Sequence, residues 1–208
     1  MFGLTKAELV LLRRLDTPRK VQDYLNKLPQ NFEPDGDTCF SPRRVMKEKR
    51  AHCIEGAMLA ALAFRLQGHK PLILDLESAR HDFDHVIALF KQHGCWGAVS
   101  KTNHAVLRYR EPVYRTIREL VLSYFHEYFD KKGLKTLRRY SKPVDLSRFD
   151  KKGWMTNEKD NWFVAQYLVE VDHEILLTRS QMATLRRADR VEIEAGEIIE
   201  WKKRKRKS

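Results

Sequence analysis

The run CIEGAMLAALAFRL, from Cys53 to Leu66, limits the fold more than any other stretch of this chain. Ala, Leu and Met are strong helix formers, and Gly68 just beyond is a natural helix stop. Only Glu55 and Arg65 are charged, so a helix here must be covered on most sides. Gly56, Ala57, Ala60 and Ala61 let neighbours approach its backbone closely, as a central helix packed on a sheet requires. It is too short to span a bilayer.

The flanks suit that role. Residues 5–14 and 17–27 read as two short helices, the second opened by Thr17 as N-cap with Pro18 at the first helical position. NFEPDGDTC is a loop broken by Pro34 and Gly36, and Ser41-Pro42 starts a further helix over RRVMKEKR. After Pro71, LILDL, DHVIALF and CWGAVSK predict three strands of an antiparallel sheet. Residues 113–129 return to helical spacing, with Ile117, Leu120, Val121, Tyr124, Phe125 and Tyr128 on one face. The basic stretch 131–153 reads as a boundary or long surface excursion; FVAQYLVEV and VEIEAGEIIEW read as strands, with a short helix around SQMATLRRAD between them. The expected organisation is a helical preface (1–34), a core (35–130), a mixed α/β extension (131–201) and a basic tail (202–208), without internal repeats.

Composition agrees with an ordinary globular protein: 208 residues, 42% hydrophobic and 33% charged. Half of the +12 net charge comes from one block, Lys202, Lys203, Arg204, Lys205, Arg206 and Lys207, read as a solvated end. Three cysteines, Cys39, Cys53 and Cys95, are an odd number in a chain too large to need disulfide staples, which points to a reducing compartment. Lys6, Glu8, Arg13 and Arg14 interrupt any apolar leader, so the expected location is cytoplasmic.

Chemistry concentrates around Cys53. A thiol attacks efficiently only as thiolate, and the unpaired N–H groups and dipole of a helix start favour that form. They also favour an oxyanion on an attacked carbonyl. A small core cysteine is the plain alternative. If Lys91 to Gly94 connect a hairpin, Phe90 faces Cys95 and His85 faces Ser100. His85, Ile87 and Leu89 then share a face with Ser100, Ala98 and Trp96. A Cys at a helix start with a His at a following strand start is more specific than either residue alone.

These stretches, AHCIEGAMLAALAFRLQGHKPLILDL and DHVIALFKQHGCWGAVSKT, resemble the segment of transglutaminase-like domains in which a Cys opens a central helix and a His opens a later strand. The likeness spans roughly residues 35–105, and NHAVLRYREPVYRTIRELVLSYFHEYF is similar to the segment C-terminal to this core in small bacterial members. It implies an α+β fold with a papain-like core, a central buried helix packed on an antiparallel sheet. It also implies Cys53 as nucleophile, His85 as general base and later acid, and Trp96 as the aromatic before the third position. A peptide, amide or ester would be the substrate, and no cofactor is called for. The family has Asp at the third position; here it is Ser100, which orients an imidazole without lending charge. Asn103 is an alternative orienter; Asp75, Asp82 and Asp84 are outside candidates that read more readily as loop or surface carboxylates.

Three rivals remain. Zinc on His52, Cys53, His81 and His85 lacks any C-x-x-C or H-E-x-x-H spacing, so no metal is assigned. A nucleic-acid surface is suggested by the tail and by Lys131, Lys132, Arg138, Arg139, Lys151 and Lys152 interleaved with Tyr140 and Trp154, without a recognition motif. A fold retained as a binding scaffold, with weakened chemistry, is the third.

Overall fold

The computed structural model describes residues 2–202, so the basic tail beyond Lys202 lies outside the described residues. Helices α1 (Lys6–Arg14) and α2 (Pro18–Lys27) start on Thr5 and Thr17, whose hydroxyls accept the N–H of Glu8 and Lys20. Helix α3 (Pro42–Glu48) starts the same way on Ser41. Helix α4 spans Cys53–Leu66, and its end is closed by Gly68 at φ +87°, with His69 N–H reaching Phe64 O and Gly68 N–H reaching Arg65 O. Those two bonds are the glycine-dependent cap that satisfies the last carbonyls of a helix. Next come β1 (Leu72–Ser78), β2 (His85–Gln92), β3 (Cys95–Ser100), β4 (Arg110–Tyr114), α5 (Ile117–Phe125), β5 (Leu137–Ser141), β6 (Val144–Asp145) and a 3-10 helix at Leu146–Lys152. The rest is α6 (Trp162–Glu170), β7 (His173–Ile175), α7 (Arg179–Ala183) and α8 (Arg190–Gly196).

The fold is α+β, with helices packed on an open antiparallel sheet in the order β4-β3-β2-β1-β5-β7, and β6 also pairs with β1. On one face Met58, Leu62 and Phe64 of α4 join Ile73, Ala88, Phe90 and Val99 in one core. On the other, Leu74, Leu76, Ile87, Leu89 and Ala98 pack with Leu120, Val121 and Tyr124 of α5. Both faces are covered, which is why HVIALF is an unbroken apolar run rather than an alternating one. Gly56 is where α4 meets the end of β3: a Cβ there would lie 2.4 Å from Cβ of Lys101.

Several expectations are corrected. The hairpin turn is His93-Gly94 alone, both at positive φ (50° and 78°), so Gln92 faces Cys95 and Ser100 faces Ile87, not His85. Two-residue turns of this conformation match the strand twist. The shift is by two residues, so every side chain keeps its face, and the shared face of His85, Ser100, Ala98 and Trp96 survives. FVAQYLVEV is helical (α6): Val164 and Leu168, four apart, are buried while Phe163 and Tyr167 flank Phe149, a helical period hidden by β-prone residues. VEIEAGEIIEW is mostly helix α8, started at Asp189, with Ile199 alone bridging to His104. In 113–129 the helix is confined to α5, because Thr116 caps it and residues 110–114 form edge strand β4, where Pro112 costs no ladder bond. The stretch 131–153 contains β5, which pairs directly with β1. Tyr140 and Trp154 are buried, so the stacking surface expected of them does not form. No helix among the described residues is long and apolar enough to cross a membrane.

Candidate active site

Cys53 is the first residue of α4, where the leading N–H groups have no partner within the helix. His85 is the first residue of β2; it lines the same cleft as Cys53, and its imidazole helps hold the thiol below its ordinary range. The other side of the ring is fixed: His85 Nε2 lies 2.7 Å from Ser100 Oγ, and Ser100 Oγ lies 2.5 Å from Leu107 O. A carbonyl can only accept, so the serine proton goes to Leu107 and Ser100 must accept from Nε2–H. That assignment leaves Nδ1 with the lone pair, the tautomer a base needs. The bond is diagonal across the hairpin, two residues along one face, within reach of an imidazole. Ser100 is itself clamped, its N–H donating to Gln22 Oε1 (2.9 Å) and its carbonyl accepting from Gln22 Nε2 (2.8 Å). An Asp at position 100 could take the imidazole proton but, ionised, has none to offer Leu107.

The alternative orienters are placed elsewhere. Asn103 is engaged with the C-terminal segment, Oδ1 accepting from Trp201 N–H (2.8 Å) and its carbonyl from Glu200 N–H (2.9 Å). Asp82 accepts from Thr136 Oγ1 (2.5 Å), Asp84 from Ser78 N–H (2.7 Å), and Asp75 meets His173 Nε2 at 3.3 Å. Asp75, expected to be a loop or surface carboxylate, is instead buried within β1, and that burial pushes its carboxyl up to about 6, against the pull of His173. Trp96 stands on β3 opposite Tyr114, under the Lys91 ammonium. His81 pairs with Asp130 at 3.3 Å, and among the described residues no group of three or more His, Cys, Asp or Glu is arranged to hold a metal ion.

A second imidazole reaches the thiol. His52 Nδ1 is 4.0 Å from Cys53 Sγ, while His52 Nε2 lies 2.9 Å from Thr38 O and 3.3 Å from Glu55 Oε1. Glu55 is fully buried and receives the His52 N–H (2.9 Å), the Phe40 N–H (2.9 Å), the Thr38 hydroxyl (2.8 Å) and the Asn31 amide (3.1 Å). Burial opposes every charge here. It is outweighed for Glu55 by His52 and the N–H donors, which hold its carboxyl down to about 2. It is outweighed for His52 by Cys53 and Glu55, which raise the imidazolium to about 11. It is outweighed for Cys53 by the two imidazoles, which hold the thiol well below its ordinary range.

Sequence reasoning gave His52 no role at the thiol except as a metal ligand and gave Glu55 none. The signal was present: a Glu three residues after the residue preceding the helix is half of a capping box. Gln30 was also missed. It bridges to Ala51, lines the same cleft as Cys53, and its Oε1 is buried without a partner. Lys101, with Nζ donating to Leu28 O at 2.8 Å, is buried enough that its ammonium is lowered to about 8. The cleft measures about 740 Å³ and is lined by Cys53 and the buried His85 together with Phe32, Phe83, Leu107 and Phe129. Phe83 is 89% exposed although its backbone is tied down by Tyr128 Oη–H donating to its carbonyl (2.6 Å). All three cysteines are free. No protein-family model matches this chain, and no curated protein matches it significantly.

Proposed function

We propose that this chain is a thiol-dependent acyl-transfer enzyme with a papain-like, transglutaminase-like core. The observation that carries the reading is one open cleft lined both by Cys53, at a helix start, and by His85, an imidazole whose Nε2 is pinned by Ser100. His85 Nδ1 takes the Cys53 proton, and sulfur attacks the carbonyl carbon of an amide or ester as the carbonyl π pair moves to oxygen. The N–H groups heading α4 face that developing charge, with Gln30 on the same wall of the cleft. The intermediate collapses, the C–N or C–O bond breaks, and the leaving group takes the proton from His85. Water or an amine then gives its proton to His85 and displaces sulfur from the thioester, releasing acid or amide and restoring the thiol pair. Hydrolysis makes the protein a peptidase or amidase, and transfer to an amine makes it a transglutaminase-type acyltransferase.

The test is mass spectrometry of the intact protein with an activated ester such as p-nitrophenyl acetate. One acetyl group should map to Cys53, be absent in Cys53→Ser, and turn over slowly in His85→Ala. An unmodified Cys53, with label spread over surface lysines, overturns the reading.

A further inference from the structure

The two imidazoles at Cys53 are held in opposite ways, and this divides their work. His85 is bonded only to neutral partners on its far side, the Ser100 hydroxyl and through it the Leu107 carbonyl. His52 backs onto a carboxylate that is fully buried and receives N–H and O–H donors from Asn31, Thr38, Phe40 and His52. We propose that His52, paired with Glu55, is the cation that keeps Cys53 ionised, so that His85 is left to move protons. The proposal rests on Cys53 being the nucleophile and adds a positioning residue to it.

Charge counting favours this division. A half-buried thiolate beside a fully buried carboxylate puts two negative charges in one site, and His52, with Nδ1 4.0 Å from the sulfur and Nε2 3.3 Å from Glu55, is the imidazole that faces both. When His85 surrenders its proton to the leaving group, His52 stays charged, because Glu55 lies 3.3 Å from its Nε2 and Glu33 lies 3.5 Å away. Other titratable groups around the site are Cys39 beside Glu55, and Asp75 and Tyr128, which feel the Cys53 charge from the sheet and from the segment after α5; these disfavour added negative charge. Lys101 lines the same cleft, but its Nζ is committed to Leu28 O at 2.8 Å. No proton needs to pass through His52, whose Nε2–H is committed to Thr38 O at 2.9 Å.

The experiment is the rate of Cys53 alkylation by iodoacetamide from pH 4 to 9 in the full chain, compared for wild type, His52→Gln, Glu55→Gln and His85→Gln. The midpoint should lie well below that of a free thiol in wild type and stay within about one unit in His85→Gln. It should rise by about two units in His52→Gln and move the same way in Glu55→Gln. At a pH below both midpoints a two-unit rise cuts the thiolate fraction about 100-fold, and the greater nucleophilicity of a less acidic thiol returns about 10-fold, leaving about a 10-fold slower reaction there. A midpoint that follows His85 and ignores His52 overturns the proposal. Should either variant at the Glu55 hub fail to fold, NMR of the ring nitrogens in the intact protein decides: His52 remains an imidazolium at pH 8 if the proposal holds, and a neutral His52 there overturns it. Acetylation of Cys53 by the ester is a separate readout, so loss of the enzyme reading and loss of this assignment are told apart.

Discussion

Ser100→Ala removes one oxygen that serves two partners. The hydroxyl accepts from His85 Nε2 at 2.7 Å and donates to Leu107 O at 2.5 Å, in a residue 1% exposed. Each orphaned buried group costs about 1–3 kcal/mol, and Leu107 O belongs to a half-buried loop residue that water can approach, so the loss should be about 2–4 kcal/mol. That is survivable against the usual stability of a domain, roughly 5–15 kcal/mol. With a urea slope of about 2 kcal/mol per molar, the unfolding midpoint should fall by about 1–2 M. Activity suffers for a different reason. Without its anchor the ring can adopt about three χ1 wells in two ring orientations, so the productive arrangement is held about one-sixth of the time. Ester turnover should drop about 6-fold in kcat, with KM little changed, because no substrate contact is lost. A stability loss below about 0.5 kcal/mol together with unaltered turnover would refute the account of how His85 is oriented.

Two further outcomes are expected from the same geometry. In Gly56→Ala, the new methyl would stand 2.4 Å from Lys101 Cβ; overpacking of about 1–3 kcal/mol should exceed the helix gain of about 1 kcal/mol, and thermal unfolding of a variant as stable as wild type would contradict the packing described. Glu55 has its carboxyl depressed from 4.5 to about 2 in the folded protein, so its contribution, about 3 kcal/mol, is present above pH 4.5 and lost as pH falls towards 2. Glu55→Gln should flatten the acid limb of a stability curve measured by denaturant titration between pH 2 and 5.

The parts of the site legible in the sequence were those governed by local chemistry. The bounds of α4 followed from composition and Gly68, and the starts of α2 and α3 from Thr17 and Ser41. Alternation put His85 and Ser100 on one face even though the turn was placed wrongly, because an even slip preserves sidedness. The illegible parts depend on distant partners. Nothing near Ser100 announces that Leu107 O will take its proton, or that Asn103 will be occupied by residue 201. Nor can the sequence around Glu55 show that Asn31, Thr38 and Phe40 converge on it. Helix α6 was misread because its burial rests on two positions, Val164 and Leu168, among residues that individually prefer strands.

The bonds from Asn103 to Glu200 and Trp201, with Ala105 N–H reaching Ile198 O, have a consequence for the order of events during synthesis. The loop they fasten presents the carbonyl that steers Ser100, yet its fastening is translated about a hundred residues later, on the order of ten seconds at common elongation speeds. The helix bearing the sulfur and the hairpin bearing its imidazole can therefore assemble while that loop is still untied. A nascent chain would carry a thiol whose proton relay is not yet tuned, which delays full reactivity until residues 198–201 have been made.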